Sequence, residues 1–345
     1  MIFIKFLKNL IRPELAKPLV IKKNKQYSSN RFYTFGKKNK KKFFYIIKRK
    51  FSPTGLFSNV LFVLDHMQLA EKKKLIPIVD MFNYPTVYNE KKKINGSFNS
   101  WSYYFDTRHK YRLKDIYSSK NVSFSSNERL KKTLMFKDKD LEIIFFKNFK
   151  IKKNILKKVD YLKKKYFSNN ERILGVHVRG TLQKVVKNHS FPPLTKDILN
   201  EANNIFINEK CTKIFLVSED LAYIESFRKK FKNKVIILER PRSKPNIFSF
   251  HNNHFSVYKR KLHRFKLGEE TIIDTLLLSK CNIFLFTDSN VRSAVMSFSK
   301  KKQIRYEIKT QKNSKYIFLA RWLWYLKYYL PIFFGNISYK LIKKK

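Results

Sequence analysis

Apolar residues recur along this chain at two periods, and the switches between them outline its elements. Phe43-Phe44-Tyr45-Ile46-Ile47 is a short continuous apolar run and predicts a strand over 43–47. Ser52-Pro53-Thr54-Gly55 reads as a turn. Leu56, Val60, Leu61, Leu64, Met67 and Leu69 then repeat at helical spacing up to Lys74, and Leu75-Ile76-Pro77-Ile78-Val79-Asp80 predicts a buried strand. Strand, helix and strand in succession make a βαβ unit, whose parallel strands require a covered sheet.

Residues 84–131 are polar and aromatic without a clear period, and 141–166 return to helical spacing with many lysines, which predicts a connecting helix. The second half alternates more regularly. Strands are expected over 172–179, 213–218, 234–238, 282–287 and 304–308. Helices are expected over 194–208, 221–231, 269–279 and 291–299, with a long polar segment at 241–264. This alternation implies a doubly wound α/β domain, in which ligands bind at the carboxyl ends of strands. The expected organisation is a basic segment 1–42, a first domain 43–140, a connecting helix 141–170, a second domain 171–310 and a C-terminal segment 311–345.

Residues 317–334 are strongly apolar and aromatic, with Trp322, Trp324, Tyr325, Tyr328 and Tyr329 beside Arg321 and Lys327. A spanning helix needs about 20 apolar residues, and Arg321, Lys327 and Pro331 argue against one. Two readings stand. One is a helix lying at a membrane surface, with Lys340, Lys343, Lys344 and Lys345 reaching lipid phosphates. The other is a helix packed back on the first domain. At the other end, Lys5 and Lys8 interrupt the apolar stretch 1–11, which therefore lacks the continuous segment of a signal peptide.

Composition narrows the classes. In 345 residues, 76 Lys and Arg face 25 Asp and Glu, a net charge of +51 at pH 7. With 43% hydrophobic residues the chain is too apolar for a disordered basic tail, so a packed core is expected. The charge fits a nucleic-acid binder or an anionic membrane surface. It also fits compositional drift, since 33 Phe accompany the lysines while Gly numbers 7, as an AT-rich coding sequence would produce. The lysines are dispersed rather than gathered in one arm, so drift is the first reading and no specific nucleic-acid partner is expected. Cys211 and Cys281, the only cysteines, are too few for a disulfide scaffold and imply a reducing, cytoplasmic compartment.

Two constellations carry candidate chemistry. The expected strand through Gly175 and Val176 ends in His177-Val178-Arg179-Gly180-Thr181, which puts His177 and Arg179 on one face, followed by a glycine and a hydroxyl. Arg179 offers a planar fork of donors to phosphate oxygens. Taken singly, His177 also reads as a core histidine and Arg179 as an ion-pair partner. The second constellation is Thr287-Asp288-Ser289-Asn290 at the start of a helix, with Asp274 on the helix before it. These residues read either as helix caps or as holders of an anion such as a diphosphate. No Gly-rich phosphate loop and no metal-ligand spacing occurs, and His251, His254 and His263 lack carboxylate or thiol company.

The string His177-Val178-Arg179-Gly180-Thr181, with Pro53-Thr54-Gly55-Leu56-Phe57-Ser58-Asn59, Tyr88-Asn89-Glu90, Asn99-Ser100-Trp101-Ser102-Tyr103-Tyr104-Phe105 and Leu276-Leu277-Leu278-Ser279-Lys280-Cys281, resembles the bacterial glycosyltransferases related to α-1,6-fucosyltransferases. The likeness runs from about residue 51 to 308. It implies an α/β GT-B-like fold, two Rossmann-like doubly wound domains facing across a cleft. It also implies metal-independent, inverting transfer from a nucleotide sugar, GDP-fucose above others, to a glycan or lipid-linked glycan of a surface polysaccharide or lipopolysaccharide. Carried over, Arg179 would meet the donor β-phosphate, His177 and Asp274 the guanosine, and Gly180, Thr181, Asp288, Ser289 and Asn290 the diphosphate region. Gly55, Ser58 and Asn59 would close the cleft from the first domain. The chain departs from the family where an acid is expected: Leu182 follows Thr181, Lys187 stands at a later acidic position, and Phe191-Pro192 replaces a His-Pro pair, with His189 two residues earlier. Asp80 and Glu90 are the candidate bases from the first domain. A sugar-nucleotide binder without catalysis is the alternative, and a nucleic-acid binder the alternative of another class.

Overall fold

The computed structural model describes residues 27, 31–50, 54–107, 109–128, 130, 143, 145–180, 182–242, 260–299 and 303–344. It divides into two compact units. One holds the described residues of 16–158 and 259–273, the other those of 159–258 and 274–345. Thr181, Pro53, His251, His254, Lys345 and the segment 1–11 lie outside the described residues.

In the first unit, β1 (Lys38–Ile47), α1 (Leu56–Lys72), β2 (Ile76–Val79), β3 (Phe105–Thr107), α2 (Leu113–Ile116), β4 (Ser119–Phe124), β5 (Phe149–Ile151) and α3 (Lys153–Tyr166) follow in order. β1 is basic and exposed in its first half and fully buried from Phe44 to Ile47. It lies between β2 and β4, parallel to both, with Ile46 opposite Ile78 and Phe124. Phe44, Ile46, Ile78, Ile116, Val122 and Phe124 form one core cluster, and each such side chain contributes about 1.5 to 3 kcal/mol by leaving water.

Three elements differ from the sequence expectation. β4 arises inside the stretch without a period: its outer positions are polar, and pairing with β1 supplies what its pattern does not show. The helix expected over 141–166 is interrupted by β5, with residues 143 and 145–148 helical before it and α3 after it, because Phe149 and Ile151 leave the helical face to pair with β3. Phe149 packs its ring 4.8 Å from Trp101, which in turn lies 4.5 Å from Phe105. β1 also begins earlier than expected, at Lys38, within the basic segment.

The second unit continues with β6 (Ile173–His177), α4 (Thr195–Asn208), β7 (Lys213–Val217), α5 (Leu221–Phe231), β8 (Val235–Ile236), α6 (His263–Leu278), β9 (Ile283–Thr287), α7 (Asn290–Phe298), β10 (Ile304–Thr310), α8 (Ile317–Tyr329), α9 (Pro331–Phe334) and β11 (Tyr339–Lys344). The start of α6, up to Ile273, belongs to the first unit. The six strands lie in the order β11-β10-β9-β6-β7-β8, all parallel except β11. The chain thus runs outward from β6 through β7 to β8, returns to β9 on the other side of β6, and runs outward again. That is the doubly wound order, and its reversal point lies between β6 and β9. Leu174, Val176 and Val178 alternate into the core with Ile283 and Leu285 of the neighbouring strand, leaving the opposite face to His177.

The end of the chain is built into the second unit. α8 buries Ala320, Trp324 and Tyr325, and the last two pack with Phe191 and Ile337 of its own unit. β11 then adds an antiparallel edge to β10. Two lysines expected to face lipid are held by carboxylates: Lys343 by Glu209 at 3.1 Å and Lys344 by Glu307 at 2.6 Å. Among the described residues, no helix is long and apolar enough to cross a membrane.

Candidate functional site

β6 and β9 are neighbours whose carboxyl ends flank the reversal point, so the residues that follow them are brought together by topology alone. His177 ends β6 and is 5% exposed. Its Nδ1 lies 3.5 Å from Ser289 Oγ, two residues beyond β9. Burial, opposed by Glu219 and reinforced by Arg179, pushes the imidazole down to about 4, so His177 is neutral near pH 7 and has one nitrogen to donate and one to accept.

Arg179 is two residues past His177, with its side chain 40% exposed. Its Nε is 3.9 Å from Glu219 Oε1, too long for a hydrogen bond, so most of its donors remain available. Glu219 instead accepts from the Gly180 N–H at 3.0 Å and fixes the backbone after Arg179. A side chain at Gly180 would meet Asp220 Oδ2 at 2.2 Å, so the glycine makes room for that carboxylate.

Ser289 caps α7, its Oγ accepting from the Arg292 N–H at 3.1 Å, and Asn290 opens the helix. Asp288, with its side chain 62% exposed, lies 3.6 Å from Arg292, and its carbonyl accepts from Gln183 Nε2. Two buried oxygens here, Thr287 Oγ1 and Gln183 Oε1, have no hydrogen-bond partner among the described residues. Orphaned polar atoms of this kind mark a place where a ligand or water completes the network. His189 belongs to the same neighbourhood: partial burial lowers its proton affinity, Arg179 lowers it further and Asp288 raises it. Asp274 is held by Arg240, whose Nη1 donates to Oδ2 at 2.6 Å.

The residues expected from the first domain have different surroundings. Asp80 is fully buried, and its Oδ1 accepts from the N–H groups of Phe82 and Asn83. Its Oδ2 accepts from Asn83 Nδ2 and, at 2.7 Å, from Tyr117 O–H. A carboxylate so engaged holds the turn after β2. Glu90 Oε1 accepts from the Phe265 N–H at 2.9 Å in the first turn of α6, again a structural use. The same helix is pressed against Tyr104, whose hydroxyl would lie 2.2 Å from a side chain placed at Gly268.

Gly55 caps the start of α1, and Ser58 and Asn59 in its first turn are gathered by Arg49. Its Nη1 donates to Asn59 Oδ1 at 3.0 Å and lies 3.3 Å from both Thr54 Oγ1 and Ser58 Oγ. Asn59 Nδ2 is buried without a partner among the described residues. Arg49 was hidden in Lys48-Arg49-Lys50, a run that reads as background charge. Glu219 and Asp220 were likewise missed, although their position directly after β7 was a signal. Among the described residues no group of three His, Cys, Asp or Glu is placed to hold a metal ion.

Solved structures share this architecture. The chain is similar to NodZ α-1,6-fucosyltransferase soaked with GDP-fucose, at 13% identity over 88% of this chain and 100% of that one, with a TM-score of 0.50. The fold is GT-B-like. Fucosyltransferase NodZ from Bradyrhizobium matches at 14% identity over the same shares, with a TM-score of 0.48. FUT1 from Arabidopsis thaliana in complex with GDP matches at 12% over 88% of this chain and 74% of that one, with a TM-score of 0.40. At such identities the likeness is one of fold. No family profile and no curated protein matches the sequence.

Proposed function

We propose that the protein is a glycosyltransferase that takes its sugar from a nucleotide donor, GDP-fucose before others, by metal-independent, inverting transfer. The observation that carries this reading is the meeting of two strand ends at the reversal point: His177, two residues before Arg179, lies 3.5 Å from Ser289, which caps α7. Transfer through an oxocarbenium-like transition state builds negative charge on the departing diphosphate. A permanently charged guanidinium and the free N–H groups of a helix start can stabilise that charge without a cation. Neutral His177 suits a hydrogen bond to an uncharged base or ribose, with Asp274 further along the donor. The acceptor in this reading is a glycan or lipid-linked glycan, met at the inner face of a membrane through the exposed aromatic face of 317–334.

A thermal-shift and calorimetric panel of nucleotide sugars, with and without EDTA, tests it. GDP-fucose should stabilise the protein and EDTA should leave the effect unchanged; no response to any GDP-sugar would reject the reading. One observation favours a second possibility, binding without catalysis: both candidate bases, Asp80 and Glu90, are engaged in hydrogen bonds, and Leu182 and Lys187 supply no acid. GDP-fucose bound without transfer or hydrolysis, whatever the acceptor, would decide for it.

A further inference from the structure

The second unit contains a cavity of about 480 Å³, bounded by α8, the starts of α4 and α5 and the segment after β6. That volume is of small-ligand size. One wall is aromatic: the Trp324 and Tyr328 rings stack at 5.0 Å with 9° between their planes, and Tyr329 stands at 88° to Tyr328. Trp324 is buried, whereas Tyr328 and Tyr329 are 48% and 53% exposed, so these two rings keep free surface for a ligand. Flat apolar rings with polar tips match the C–H face of a sugar.

The polar lining is equally particular. Asp220, 1% exposed, accepts from the Ala222 N–H and lies 3.6 Å from Lys184 Nζ. Its carboxylate retains acceptor capacity for hydroxyl groups. Lys184 Nζ also sits 4.5 Å over the Trp324 ring. Lys196 and Lys327 line the same space, and three lysines against one carboxylate leave an excess of positive charge. The Asp220 carboxylate that lines the cavity also abuts the Gly180 backbone, so the cavity adjoins the loop that carries Arg179. Beside Pro331 at its rim, Ile332 and Phe333 are 92% and 80% exposed.

We propose that this cavity binds a saccharide bearing an anionic group. Aromatic rings take the sugar face, Asp220 takes hydroxyls, and Lys184, Lys196 and Lys327 take the charge. Its role as the acceptor subsite rests on the glycosyltransferase reading; saccharide binding itself does not. The ligand is either a free anionic saccharide or the head of a lipid-linked glycan whose tail would lie along Ile332 and Phe333.

Calorimetry of the full chain separates these cases. The probes are glucose 1-phosphate, N-acetylglucosamine 1-phosphate, glucuronate, neutral glucose, inorganic phosphate and a decyl-diphosphate-linked N-acetylglucosamine, with GDP titrated separately. At least one anionic sugar should bind about tenfold more tightly than glucose or phosphate. Tyr328→Ala and Lys196→Ala should each weaken it about tenfold, Tyr328→Phe should preserve it, and GDP affinity should be the same in all three variants. Tighter binding of the decyl compound than of N-acetylglucosamine 1-phosphate assigns the lipid-linked source, and equal binding the free one. The proposal is overturned if no anionic sugar binds at about 10 mM, if inorganic phosphate binds as well as the sugars, or if both alanine variants bind as the parent does. Saccharide binding without GDP binding would reject the donor reading and leave this one standing.

Discussion

The carboxylates of the first unit and the charged and polar groups at the reversal point of the second differ in what their neighbours leave them to do. Asp80 accepts four hydrogen bonds from its own turn and Tyr117, and Glu90 closes the first turn of α6. Arg179 meets Glu219 only at 3.9 Å, while Thr287 and Gln183 keep unmatched buried oxygens. A residue's type does not tell these situations apart. A carboxylate held by neighbouring N–H and O–H donors serves the scaffold, whereas a guanidinium with unfilled donors after a strand end is equipped for a ligand.

The sharpest way to break this contrast is Arg179→Ala. Losing the cation should weaken GDP and GDP-fucose binding at least about 100-fold, roughly 3 kcal/mol, with little change in melting temperature because the side chain is partly exposed. Unchanged donor affinity by calorimetry would remove the reversal point from the proposed site.

A comparable effect is expected from acidification. His177 stays neutral in the fold down to about pH 4, while the unfolded chain takes up that proton near 6.5. The unfolded state therefore binds more protons within this window, so stability is complete above about pH 6.5 and is lost as pH falls through it, by up to roughly 3 kcal/mol. Burial lowers His66 and His109 in the same sense. Urea midpoints measured from pH 7 to 4 should fall less steeply in His177→Gln than in the parent; equal slopes would mean that His177 accepts a proton in the fold.

Asp80→Ala should be a stability variant. It leaves Tyr117 O–H and two backbone donors without their buried partner, at a cost of about 2 kcal/mol or more and a fall of several degrees in melting temperature. Glu90→Gln keeps an acceptor for the Phe265 N–H and should cost no more than about 1 kcal/mol. If either variant kept its melting temperature but lost transfer activity in a coupled GDP-release assay, the first unit would supply the base after all.

Much of the second unit was legible before folding was considered. α5 begins and ends at the expected residues 221 and 231, and β6, β7 and β9 fall within a residue or two of their expected limits. Their apolar runs are short, bounded by polar turns and buried on both faces, so local pattern and tertiary environment agree. β4 and β11 were not legible. β4 buries Ser119 and Ser123 along with Val122 and Phe124, so polar letters hide a mostly buried strand, while β11 is an edge strand with half of its side chains exposed and reads as a basic tail.

The candidate site divides along the same line. Sequence alone determined that His177 ends an apolar strand and that Ser289 precedes a helix, because strand patterning and helix capping act over a few residues. Only the tertiary structure decided that β9 returns beside β6, which sets Ser289 against His177 across 112 positions of chain. The same holds for Asp80, whose engagement depends on Tyr117, 37 residues away. Spacing along the chain reports which groups are available; their hydrogen-bond partners, which determine their chemistry, are brought by strands that pair from elsewhere.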